Sequence, residues 1–106
     1  MAAVAQVAIW RARDGKVPEF FAKVATAKKI HDRLGARVRV WQTAIGGQPM
    51  SVAYVIEHAS WSDYGKFAEK LEKDTEWQTF WAEALARPTA DLIQNSVIVE
   101  PPGFQA

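Results

Sequence analysis

The sequence predicts an α+β fold in one domain, a single sheet of four antiparallel strands with helices in the order βαββαβ. Three observations predict it. Ser51 to His58 is rich in β-branched and aromatic residues and has no helical spacing, so it reads as a strand. Ser60 then stands three residues before Asp63, a helix start signal, and Tyr64, Phe67, Ala68 and Leu71 follow on one helix face. Strand and helix segments of similar length recur on both sides of this junction, echoing it once.

Taken in order, Val4 to Arg13 reads as the first strand. Ala5, Val7 and Ile9 point one way and Gln6, Ala8 and Trp10 the other. Asp14-Gly15 supplies turn chemistry, and Pro18 fits the first position of a helix, where a missing N–H costs nothing. That helix runs to about Leu34, with Gly35 as its stop, and carries Phe20, Val24, Ala27, His31 and Leu34 as its stripe. Lys29, Asp32 and Arg33 fall on its far side.

Arg37 to Ala44 is the second strand, with Val38 and Val40 alternating against Arg37, Arg39 and Trp41. The Gly46-Gly47-Gln48-Pro49 cluster makes a turn to the Ser51 strand. Beyond the central helix the periodicity jumps. Trp77 would sit roughly 120° around from Leu71 on one straight helix. The second helical segment is therefore expected to break near Asp74, with Asp74 or Thr75 capping a short helix that carries Trp77, Phe80, Trp81, Ala84 and Leu85 as core residues. Arg87-Pro88 closes it. Asp91 to Glu100 is the last strand, ended by Pro101-Pro102-Gly103 with Phe104 on a short tail. This order is the split βαβ, ferredoxin-like arrangement.

Composition narrows the function classes. The 106 residues fit one domain, 1–106, and a chain of this size buries roughly 65% of its unfolded surface. Thirteen basic and twelve acidic residues leave a net charge of +1, which offers nothing to nucleic acid or an anionic membrane. Cysteine is absent, so there is no disulfide framework, thiolate nucleophile or Cys-metal site. The start, Met-Ala-Ala-Val-Ala-Gln, lacks the basic opening of a signal peptide, and no stretch approaches the ~20 apolar residues of a membrane span. The expectation is a cytoplasmic protein without metal or cofactor.

Two helices cover one face of such a sheet. Spending Val7, Ile9, Val38 and Val40 under the helices leaves Ala8, Trp10, Trp41, Ala53, Val55 and Ile98 on the other face. An apolar patch of that kind marks an interface. Packing two copies face to face would bury it and enclose a lumen lined by Gln6, Arg37, Arg39, Glu57, Gln94 and Ser96.

At this point the residues resemble a family. Gly15-Lys16-Val17-Pro18-Glu19-Phe20 is similar to the strand-end signature of NIPSNAP-like and related dimeric α+β barrel proteins. Trp10 falls where those often carry an aromatic. Glu57-His58-Ala59-Ser60 is similar to their strand–helix junction, with His58 where an aromatic is expected, and Asp74-Thr75-Glu76-Trp77-Gln78 is similar to their helix start. The resemblance covers most of the chain and implies a homodimer built as an α/β barrel. The superfamily includes antibiotic-biosynthesis monooxygenases and haem-degrading relatives, so it also implies small-molecule chemistry.

The candidate site residues are few. His31 and His58 are the catalytic candidates, each either a packed neutral histidine or a general base, with haem ligation a further use for His31. Arg39, Trp41 and Trp10 are the ligand-binding candidates: two rings and a guanidinium on adjoining strands can stack on a planar anion and pair with its charge. Against this, Glu57 could neutralise the arginines, and the tryptophans could be interface anchors. No Ser/His/Asp order, Walker motif or paired-carboxylate signature is present. Three readings stay open at this stage: a lumen that binds an apolar or aromatic molecule, with cofactor-free monooxygenase-like or isomerase-like chemistry; a non-enzymatic accessory or oligomerisation domain with a filled lumen; and a haem-binding or haem-degrading protein.

Overall fold

The computed structural model describes residues 3–48 and 50–104. Its elements are β1 (Val4–Ala12), α1 (Val17–Arg33), β2 (Arg37–Gln42), β3 (Ser51–His58), α2 (Trp61–Lys73), α3 (Thr75–Ala86) and β4 (Ala90–Val99). The strands form one antiparallel sheet in the order β2-β3-β1-β4, the ferredoxin-like topology. Pro49, the end of the expected turn cluster, lies outside the described residues.

Local chemistry accounts for most boundaries. Lys16 is the N-cap of α1, so Pro18 takes the second helical position rather than the first, where its lack of an N–H is still free. Gly35, at φ 90°, ends α1 in a Schellman motif: its N–H bonds Asp32 O and the Ala36 N–H bonds His31 O. The Ser60 hydroxyl accepts from the Asp63 N–H at 3.1 Å and opens α2. The expected break is present. Asp74 is at once the C-cap of α2 and the N-cap of α3, its carboxylate accepting from the Trp77 N–H at 2.8 Å. Arg33 donates to both oxygens of the same carboxylate at 2.8 Å, tying the break to the end of α1. That pairing, with the Trp77 N–H, holds Asp74 below its ordinary pKa.

The core lies between the helices and one sheet face. Phe67 of α2 packs with Val38, Tyr54 and Ile56, and Phe20 of α1 packs with Ala12, Val52 and Ala90. Trp10 and Val24 touch both clusters and join them. Burying each large side chain contributes roughly 1.5–3 kcal/mol. Ile30, outside the stripe expected for α1, is among the most buried residues. No helix among the described residues is long and apolar enough to cross a membrane.

One expectation fails. The register pairs Ala8 with Tyr54 and Trp10 with Val52, so Gln6, Ala8 and Trp10 lie under the helices, while Ala5, Val7 and Ile9 share the open face with Ala53 and Val55. The two alternating sets of β1 are nearly equally apolar, so alternation alone sets no phase. Depth decides it: the large ring of Trp10 packs against both core clusters and meets Trp81 edge-on, whereas Val7 and Ile9 suit a flat face. On β2 and β3 the expected facing is observed. A register shift at Ile9/Trp10 skips Ile93, which bulges out of β4.

Candidate functional site

The site begins at the last turn of α1. The Schellman cap fixes that turn, and His31 projects from it onto the sheet, 3% exposed. Tyr54, in the middle of β3, meets it: His31 Nδ1 and Tyr54 Oη are 2.6 Å apart. Phe67 and Trp77 pack against the same imidazole, with ring centroids at 5.6 and 4.5 Å. Burial lowers the His31 pKa to about 4 against the opposing pull of the Asp32 charge, and burial pushes the Tyr54 phenol up. Both groups are therefore neutral at pH 7. His31 Nε2 is buried and has no hydrogen-bond partner.

His31 and Tyr54 form one wall of a cavity of about 340 Å³ between α1, α3 and the sheet. Its floor is Gln6, Ala8 and Trp10 of β1 with Asn95 and Leu92 of β4. Ala8 pairs with Tyr54 on one side and Asn95 on the other, so a methyl group sits between two polar side chains. Its roof is α3. Trp77 stacks on Trp81 at 5.6 Å and 15°, and tilts against Phe80 at 5.4 Å. These aromatics were expected as core. Instead no residue of α3 is fully buried, because the helix rests over the cavity rather than on the sheet. Polar groups are sparse, in the manner of small-molecule sites.

His58 lies elsewhere. It ends β3 beneath α2, packed on Tyr64 and Phe67 at 5.4 and 5.2 Å, and is not part of the cavity wall. Burial lowers its pKa, partly offset by Asp63. Its packing matches the reading of a histidine buried under the following helix. Among the described residues, no group of His, Asp and Glu could hold a metal ion.

Trp10, Arg39 and Trp41 do not meet. Trp10 lines the cavity, and the sheet separates it from Arg39 and Trp41 on the open face. There the Arg39 guanidinium stands 4.7 Å over the Trp41 ring, and Arg37 and Arg39 both lie 3.6 Å from Glu57. Tyr54 and Asn95 are site residues that the sequence alone did not single out; Gln6 was expected in a lumen on the other face, and the α3 aromatics as core. The available signal was Tyr54, a lone hydroxyl on the inward set of a strand whose neighbours there are Val52, Ile56 and His58.

No protein-family model and no curated protein matches the chain. Solved structures do. A NIPSNAP domain protein from Burkholderia xenovorans superposes with a TM-score of 0.74 at 24% identity, over 97% of this chain and 98% of that one. A NIPSNAP family protein from Agrobacterium tumefaciens gives 0.73 at 21%, over 96% and 94%. SnoaB, described as a cofactor-independent oxygenase from Streptomyces nogalater, gives 0.69 at 13%, over 98% of both chains. The chain has the fold shared by NIPSNAP and monooxygenase-like proteins of this kind.

Proposed function

We propose that the protein binds a small apolar, aromatic organic molecule in the cavity between α1, α3 and the sheet, and acts on it as a cofactor-free monooxygenase-like or isomerase-like enzyme. The observation that carries this is the aromatic-walled cavity with a buried, hydrogen-bonded His31–Tyr54 pair in its wall. The description of SnoaB as a cofactor-independent oxygenase supports the same reading. The test is a thermal-shift panel of one- to three-ring aromatic compounds. A ligand at a hundred times its Kd should stabilise by about 2.7 kcal/mol. Ala8→Phe fills the cavity floor and should abolish the shift. A hit that survives Ala8→Phe at full strength places the site elsewhere.

The same proposal includes a homodimer formed through the open sheet face. Ala5, Val7, Ile9, Ala53 and Val55 form an apolar strip there, flanked by Trp41 and Ile98, each 54% exposed. Glu57 beside Arg37 and Arg39 favours an interface role for Arg39 and Trp41 over ligand capture, because the carboxylate already answers the cations. A monomer by light scattering at micromolar concentration would contradict this.

A further inference from the structure

At one end the cavity adjoins a depression on the surface, and the two share Lys23, Pro88 and Thr89. Lys23 comes from the second turn of α1, next to Val24 of the cavity wall. Its ammonium donates to the carbonyl of Arg87, a residue that borders the depression and not the cavity. A lysine stem can follow apolar surface while its charge stays near water, and here the charge stands where the apolar space meets the surface.

The charge balance at that junction is uneven. Glu19 lies 3.6 Å from Lys16 and Glu83 lies 3.5 Å from Arg87, so each carboxylate bordering the depression has a cation of its own. No ion pair among the described residues includes Lys23. Its acceptor is a neutral carbonyl, which takes one of the three N–H groups of the ammonium. Thr89 brings a hydroxyl that can also donate.

We propose that this junction is an anion subsite and that the ligand of the cavity is an apolar aromatic acid, its rings under Trp77 and Trp81 and its carboxylate on the Lys23 ammonium and the Thr89 hydroxyl. This rests on the ligand-binding reading of the cavity and narrows its ligand class. A carboxylate at the mouth keeps part of its water, whereas one placed deeper would meet only the neutral amides of Gln6 and Asn95 among apolar groups. One ammonium and one hydroxyl match a single negative charge. A phosphate dianion calls for more donors, and the nearest guanidinium, that of Arg87, already faces Glu83.

The test uses two probes of one shape, 1-naphthaleneacetate and its uncharged amide, titrated into the full-length protein. The wild type should bind the acid about fivefold tighter at low salt, and the preference should shrink at high salt. Lys23→Gln keeps an N–H for the Arg87 carbonyl and removes the charge. It should weaken the acid alone and bring the two Kd values together, while Lys23→Arg should keep them apart. Thr89→Val should weaken the acid by a smaller factor, about twofold. Equal affinities in the wild type overturn the subsite. So does a Lys23→Gln that weakens both probes equally, since Lys23 then only props α3. Loss of the preference in Arg39→Ala in place of Lys23→Gln puts the anion on the open face and overturns it as well. If Lys23→Gln does not fold, the wild-type ratio and its salt dependence decide. Neutral aromatics that bind the wild type and not Ala8→Phe, with no preference for the acid, leave the cavity reading standing without the subsite. A wild type that binds no aromatic probe of either kind removes both.

Discussion

The two faces of the sheet carry polar groups in opposite ways. On the open face, Arg37 and Arg39 flank one carboxylate, Glu57, and Arg39 lies over Trp41. Each charged group there has a partner or water. On the helix-covered face, His31 and Tyr54 are buried, uncharged and joined to each other, and the Nε2 atoms of His31 and His58 are both buried without a partner. Paired charges on an exposed apolar surface are what an interface between proteins requires. The same sheet separates the two environments by the thickness of one strand layer.

The contrast can be broken from either side. The largest effect belongs to the covered face: Phe67→Ala removes a ring packed on both histidines and should cost about 3–5 kcal/mol in urea unfolding. Acid comes next. His31 is neutral when folded and takes a proton only near pH 4, whereas in the unfolded chain it does so near 6.5. The unfolded state therefore binds more protons between these values, and stability falls as pH drops through that window. The loss is on the order of 3 kcal/mol at its fullest, below pH 4. His58 adds in the same direction. Unfolding curves at pH 7, 5.5 and 4.5 read this, and His31→Gln should flatten the dependence. The smallest effect belongs to the open face. Arg39→Ala breaks a half-exposed ion pair and should change the stability of a protomer by less than about 1 kcal/mol. It should raise the dimer dissociation constant measured by sedimentation much more. A large protomer effect from Arg39→Ala would erase the distinction between the faces.

Much of the fold was legible because its signals are local. Ser60 before Asp63, the phase jump at Asp74 and the glycine at 35 each act within a few residues, and each is where it was expected. The phase of β1 was not, because Ala5, Val7 and Ile9 differ too little from Gln6, Ala8 and Trp10 to say which set the helices cover. The site inherits that ambiguity. Trp10 changes faces with the register and parts from Arg39 and Trp41. His31 was visible as a residue within an apolar stripe, but its partner Tyr54 lies 23 positions away, joined to it only by packing α1 on β3. The roof was misread for a related reason. Trp77, Phe80 and Trp81 have helical spacing whether a helix covers a sheet or a void, and periodicity cannot report depth.

The attachment of α3 has a consequence for how the cavity is roofed. At its first turn Asp74 is held by Arg33, and at its last the Arg87 carbonyl accepts from Lys23, so both ends are fastened to α1. Between them Trp77 packs on His31 and Trp81 meets Trp10 edge-on, with the cavity beneath. Most helices are loosest at their tips. This one resembles a beam anchored at two supports, whose easiest deformation is a bow at mid-span. The aromatic ceiling is then held in place from both ends rather than from its middle.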